Sequence, residues 1–196
     1  MKRLFDILFS FLGLLLLLPL FLFLALWICL DSPGGIFYTQ IRVGRGNSNF
    51  RLYKFRSMRT NSDKTGLITV GEHDSRITHS GYFIRKYKLD ELPQLINVLK
   101  GDMSFVGPRP EVRKYVDMYT PEQLHVLDVR PGITDEASIR YSNENKLLAT
   151  ADDPEQFYIK TVMPDKLRIN LEYVHSHTLF GDIKLIFKTL KTIVNE

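Results

Sequence analysis

Two carboxylates stand side by side at Asp90 and Glu91, within Lys88-Leu89-Asp90-Glu91-Leu92-Pro93-Gln94-Leu95. Adjacent carboxylates repel, and a site that keeps both ionised needs a cation or basic neighbours. Arg85, Lys86 and Lys88 lie just before or beside the pair, and Arg109 follows inside Gly107-Pro108-Arg109-Pro110. An arginine between prolines is held in a restricted direction, and its planar fork suits phosphate. The chemistry favoured by this combination is that of a phosphate-rich ligand. A plain helix cap at Asp90 and an incidental arginine in a stiff turn are the alternative readings.

These residues need elements to position them. From Leu89 onward, Leu92, Leu95, Ile96 and Leu99 recur at helical spacing, and Gly101 is a natural stop. Pro93 fits only the first turn of such a helix, which places Asp90 at or next to its N-cap. Free N–H groups at a helix start keep a carboxylate ionised and can share that end with phosphate. Residues 103–106 read as a short buried strand. Upstream, residues 36–40 and 50–58 flank the turn Gly44-Arg45-Gly46-Asn47 as a hairpin. Its second strand alternates apolar and basic residues, so Lys54 belongs either to a cationic working face or to a solvated edge that resists aggregation.

Residues 59–71, polar and punctuated by glycine, read as a mobile loop over or beside the site. Farther on, a short helix opens at Pro121, residues 129–134 form a turn, and residues 157–174 are helical but broken at Pro164. Residues 182–194 form an amphipathic basic helix that suits either a membrane interface or packing on the core.

Residues 4–30 are almost wholly apolar, interrupted only by Asp6, Ser10, Gly13 and Pro19. The stretch is too long for an ordinary signal-peptide core and lacks a tidy cleavage site, so it reads as a membrane segment. A straight helix over it would reach roughly 40 Å, enough for a bilayer core of about 30 Å. Yet Lys2 and Arg3 precede it and Arg42, Arg45 and Arg51 follow it, and the positive-inside rule wants both ends on the cytoplasmic side. A bend near Pro19 would let the segment enter and return; a kinked spanning anchor is the alternative. The expected organisation is a membrane-inserted segment over residues 1–31 and one domain over residues 32–196.

The single cysteine, Cys29, lies inside the apolar run, which leaves no intramolecular disulfide and no cysteine metal cluster. The net charge of +4 and pI near 9.1 favour anionic partners. No nucleic-acid module with interleaved aromatics is present, so nucleic acid is not an expected partner. The histidines match no metal spacing such as HExxH, and no P-loop, GxGxxG or GxSxG motif occurs.

The ordered series Tyr53-Lys54-Phe55-Arg56-Ser57-Met58, Arg76-Ile77-Thr78, residues 89–95, residues 97–104, Val106-Gly107-Pro108-Arg109-Pro110 and Arg130-Pro131-Gly132-Ile133-Thr134 resembles the bacterial sugar transferases. More narrowly it is similar to the small monotopic phosphoglycosyl transferases. The resemblance covers nearly the whole chain. It implies an α/β (α+β) fold, in which an N-terminal re-entrant membrane helix precedes a compact membrane-associated domain of helices around a small sheet. It also implies transfer of a sugar-1-phosphate from a UDP-sugar to a polyprenyl phosphate such as undecaprenyl phosphate, releasing UMP, at the cytoplasmic face of the bacterial inner membrane.

On that pattern Asp90 is the catalytic nucleophile that forms a covalent phosphosugar intermediate, and Glu91 assists by deprotonating or orienting the acceptor. Mg²⁺ is the implied cofactor, with Asp90 as its ligand. Lys54, Arg85 and Arg109 match basic positions of the pattern and are the expected phosphate contacts. The chain departs from many relatives over residues 135–145, which bears on the sugar. A non-catalytic membrane-surface scaffold that binds anionic lipid or nucleotide ligands is the alternative function. An oligomer is possible but not predicted.

Overall fold

The chain begins with two helices that meet at an angle. The computed structural model describes residues 1–62 and 74–195. In it α1 (Lys2–Leu16) and α2 (Leu18–Asp31) are bent by 60° across Leu17. Pro19 stands in the first turn of α2. It lacks an N–H and its ring would clash with the carbonyl of Leu15 in a continuous helix, so the ladder breaks here as expected. Among the described residues no single helix is long and apolar enough to cross a membrane.

Both ends of this pair are fastened to the rest of the molecule. Lys2 donates to the Val106 carbonyl at 2.8 Å and pairs with Asp182, while Arg3 donates to the carbonyls of Val98 and Leu99 at 2.6 and 2.9 Å. Buried Asp6 accepts from the Ser104 hydroxyl at 3.0 Å and the Phe105 N–H at 3.2 Å. At the other end, Asp31 accepts from the N–H and hydroxyl of Ser80 at 2.9 and 2.8 Å. Between these ties, Leu8, Phe11, Leu15, Leu22, Phe23 and Leu26 face outward.

A hairpin follows, as the alternation predicts. β1 (Phe37–Val43) and β2 (Asn49–Phe55) pair antiparallel, with Phe37 opposite Phe55 and Val43 opposite Asn49. Gly46 and Asn47 take the left-handed conformation that the turn needs, with φ of 64° and 60°. The second strand ends before Met58, which bridges Ile77 instead. The expected loop over residues 59–71 lies mostly outside the described residues.

Next come α3 (His79–Lys86), α4 (Gln94–Lys100), β3 (Ser104–Val106), α5 (Arg113–Val116) and β4 (Gly132–Thr134). β3 and β4 pair in parallel, Ser104 opposite Gly132, so the segment read as a turn ends as a strand. Two glycines make this possible. A Cβ on Gly107 would lie 2.3 Å from the Arg130 carbonyl oxygen, and one on Gly132 would lie 2.1 Å from the Gly107 nitrogen. The fold is therefore α+β, with helices around two separate two-stranded sheets rather than one small sheet.

The C-terminal part is helical: α6 (Glu136–Arg140), α7 (Glu144–Ala149), α8 (Pro154–Phe157), α9 (Met163–Ser176) and α10 (Leu179–Asn195). Pro164 does not break α9. A wide π-turn over Tyr158–Val162 precedes it, and the proline occupies the first turn, where its missing N–H is tolerated. Three apolar clusters hold the assembly together. Leu24 and Ile28 of α2 pack on Phe55 and Ile84; Leu52 packs with Val98 and Met103; and Val112, Tyr115, Leu148, Val162 and Leu167 form the third. α10 lies against β3 and α6 and leaves Phe180, Phe187 and Leu190 exposed.

Candidate active site

Asp90 and Glu91 occupy a 3₁₀ turn over Leu89–Glu91, and α4 begins only at Gln94 with Pro93 as its cap. Asp90 thus lies three residues before the N-cap, not at or next to it as the spacing predicts. Pro93 has no N–H to give, so the chain before it closes through shorter bonds, Glu91 N–H to the Lys88 carbonyl and Leu92 N–H to the Leu89 carbonyl, both 3.2 Å. Lys88, at φ 55°, turns the chain into this corner.

Asn97, wholly buried in α4, fixes the corner against the hairpin. Its side chain accepts from the Tyr53 N–H at 3.0 Å and donates to the Arg51 carbonyl at 2.7 Å. The neighbouring Lys54 then reaches the carboxylates, with its Nζ 2.9 Å from Glu91 Oε1 and 3.7 Å from Asp90 Oδ2. Arg109 forks onto Glu91, Nη1 lying 3.2 Å from Oε2 and Nη2 bonding Oε1. Asp135, with no exposed surface, accepts the Arg109 N–H at 2.9 Å through one oxygen and caps α6 through the other by accepting the Ser138 N–H. The arginine between prolines is held by its backbone as well as by its fork.

Four of the predicted residues, Asp90, Glu91, Lys54 and Arg109, therefore form one cluster. Arg85 stands on the wall of the same cavity and adds positive charge toward Asp90. Pro19 acts at a distance, through the bent helices. The sequence reading passed over Asn97 and Asp135. A polar residue inside the apolar run Leu95-Ile96-Asn97-Val98 was the available signal for the first, and an Asp three residues before Ser138 for the second.

The two carboxylates are pulled opposite ways. Burial pushes the Asp90 carboxyl above the usual aspartate value, Lys54 works against this, and the negative charge of Glu91 adds to it. Burial also opposes ionisation of Glu91, but the charges and hydrogen bonds of Arg109 and Lys54 outweigh it and hold Glu91 well below the usual range. Glu91 in turn raises the Arg109 guanidinium further, so that both stay charged.

The cluster opens on a cavity of about 480 Å³. One end is cationic, lined by Lys54, Arg56, Arg59, Arg76, Arg85 and Arg109 around Asp90. Arg56 is buried and gripped, donating to the carbonyls of Ser32 and Pro33, both at 2.6 Å, at the end of α2. The rest of the lining is of mixed character, with Arg42 and Lys166 beside Glu111, Tyr119, Tyr158 and Asn170. Glu111 accepts from Arg42 at 3.1 Å and from the Tyr158 hydroxyl at 2.5 Å.

Among the described residues no group of three or more His, Cys, Asp or Glu side chains could hold a metal ion by itself. Asp90 has the right chemistry for a shared site. It is a hard oxygen donor on the cavity wall, and among the described residues no side-chain hydrogen bond engages it. Mg²⁺ is commonly held by one or two carboxylates together with substrate phosphates.

The sequence model of the family described as Bacterial sugar transferase matches residues 1–196. The UDP-N-acetylgalactosamine-undecaprenyl-phosphate N-acetylgalactosaminephosphotransferase of Aeromonas hydrophila is 41% identical over 196 residues, covering 98% of this chain and 43% of its own length. The UDP-glucose:undecaprenyl-phosphate glucose-1-phosphate transferase of Caulobacter vibrioides is 33% identical over 196 residues, covering 98% of this chain and 69% of its own length. The exopolysaccharide production protein PSS of Rhizobium leguminosarum bv. phaseoli is 38% identical over 197 residues, covering 97% and 93%. The chain thus spans less than half of the Aeromonas protein and most of the Rhizobium one. With a match along its full length and a carboxylate pair set among fixed cations, the chain belongs to the bacterial sugar transferase family.

Proposed function

We propose that this chain is a phosphoglycosyl transferase that moves a sugar-1-phosphate from a UDP-sugar to undecaprenyl phosphate, giving undecaprenyl-diphosphate-sugar and UMP. The observation that carries the reading is the asymmetry of the pair: Glu91 is fully engaged by Arg109 and Lys54, while Asp90 faces the cationic cavity with only a distant ion pair. An Asp90 oxygen attacks the phosphorus that bears the sugar, the bond to UMP breaks, and the sugar phosphate is held as an acyl phosphate. An oxygen of the polyprenyl phosphate then attacks the same phosphorus and releases the Asp90 carboxylate.

Lys54, Arg85 and Arg109 stabilise the charge on the transferring group, which is mostly a matter of placement and positive potential. Of the two roles open to Glu91, its lowered pKa and its bonds to Arg109 and Lys54 favour orientation over proton removal. Asp90 would hold Mg²⁺, which when bound would neutralise charge on the donor diphosphate.

The same reading places residues 1–31 in the cytoplasmic face of a bacterial inner membrane as a re-entrant pair, with residues 32–196 resting on that face as the catalytic domain. Lys2 and Asp31, at opposite ends of the pair, are both bonded to the body of the molecule. Such attachment supports entry and return on one side. The outward Leu and Phe side chains between them make an apolar surface suited to lipid.

The test is UMP release by the purified protein in nanodiscs with undecaprenyl phosphate, Mg²⁺ and a panel of UDP-sugars. Release should require all three additions, and Asp90→Asn should lower it by at least ~10³-fold. Equal release from the Asn variant would remove Asp90 from the chemistry, and no release from any donor together with no covalent labelling of Asp90 would favour the scaffold.

A further inference from the structure

The cavity continues past Asp90 and Arg109 into an arm that the transfer chemistry leaves unused. Its wall includes Glu111, Tyr119, Asn145, Tyr158, Lys166 and Asn170. Most of its polar groups are already paired. Glu111 is held by Arg42 and Tyr158, and Lys166 by Glu144 at 2.7 Å. Two are not. The Asn170 side-chain oxygen is buried without a hydrogen-bond partner, and no described residue bonds the Tyr119 hydroxyl. A buried acceptor left open in this way is costly, and such exceptions call for an explanation.

We infer that this arm is the selectivity pocket for the donor sugar, with Asn170 and Tyr119 as the residues that read its hydroxyl or acetamido groups; the inference rests on the transferase reading above. Three observations support the sugar as occupant. Arg109 and Glu111 line the same cavity, and two residues of extended chain span at most about 7 Å, so the arm begins within that reach of the Arg109 backbone. In the donor, the sugar is one ester bond from the phosphorus under attack, whereas the base lies beyond a second phosphate and a ribose. The charges on the arm are paired with one another, Arg42 with Glu111 and Lys166 with Glu144, and its amide and tyrosine groups give and accept hydrogen bonds without attracting another phosphate. A site built to bond a particular substrate hydroxyl discriminates strongly against a donor that lacks it.

The experiment measures kcat/KM for each donor in a UDP-sugar panel, and the inhibition constant of UMP, for the parent, Asn170→Ala and Tyr119→Phe. Tyr119→Phe removes one oxygen and keeps the ring, so it remains informative if Asn170→Ala does not fold. The expected result is a fall of at least ~10-fold in the ratio of best to next-best donor for Asn170→Ala, a smaller fall for Tyr119→Phe, and UMP inhibition within about twofold of the parent. An unchanged donor ratio in both variants would overturn the inference. So would UMP inhibition that weakens in step with kcat/KM, since the arm would then hold the nucleoside. A parent that releases UMP from no donor fails the transferase reading and this inference with it, and is distinguished from the other outcomes by the parent alone.

Discussion

Asp90 and Glu91 are neighbours in sequence, yet their surroundings divide them into one carboxyl that holds its proton more tightly than usual and one that sheds it readily. If Asp90 is the nucleophile, it must be ionised to attack. In the protein without Mg²⁺ the Asp90 carboxyl should titrate above the ordinary aspartate value of 3.8, as read by NMR of the isotope-labelled carboxyl. Titration at or below that value would mean that burial does not govern this carboxyl. Glu91 has the opposite linkage. Its folded pKa is lowered, so it contributes stability that is present above its ordinary 4.5 and is lost as pH falls toward the depressed value. Thermal melts of Glu91→Gln should lose less stability below pH 4.5 than those of the parent. The types and adjacency of these residues were legible in the sequence. Their division of labour was not, because it depends on Lys54 and Arg109, 37 and 18 positions away.

Elements differ in how much of themselves they announce. The hairpin β1–β2 is written in local alternation and a Gly-Asn turn, and α4 in its apolar period, so both were readable. β3 and β4 were harder, since two three-residue strands that pair in parallel from distant segments carry no period of their own. The π-turn before α9 and the 3₁₀ corner at Asp90 have one origin. In each, a proline removes an N–H and the preceding backbone finds a different bond spacing. Asn97 is the bolt between α4 and the hairpin. Asn97→Ala would strand the Tyr53 N–H and the Arg51 carbonyl, and should destabilise the protein by roughly 2–4 kcal/mol. Thermal melts of the solubilised protein check this, and an unchanged midpoint would mean that the corner is held by packing alone. The arm of the cavity could not be read beforehand, because residues spread from 111 to 170 meet only through the packing of α5, α7 and α9.

At the scale of the whole molecule, the bent helices are not an appendage. α1 is fastened to β3, α4 and α10, and α2 to α3 and the hairpin, so the apolar pair is part of the architecture that carries the candidate site. On the re-entrant reading, an epitope placed ahead of Met1 should be digested by protease from the same side of a membrane vesicle as the domain. A protected epitope would instead mark a crossing. Arg56 gives this arrangement a geometric consequence. Its guanidinium holds the carbonyls where α2 ends, and the same side chain lines the chamber beside Asp90. On the same reading it is a strut between a lipid-facing helix and the chamber floor. The altitude at which phosphates would be handled above the bilayer would thereby be a built-in dimension of the protein, and a lipid carrier whose headgroup rides at another depth would have to rise or sink to meet it.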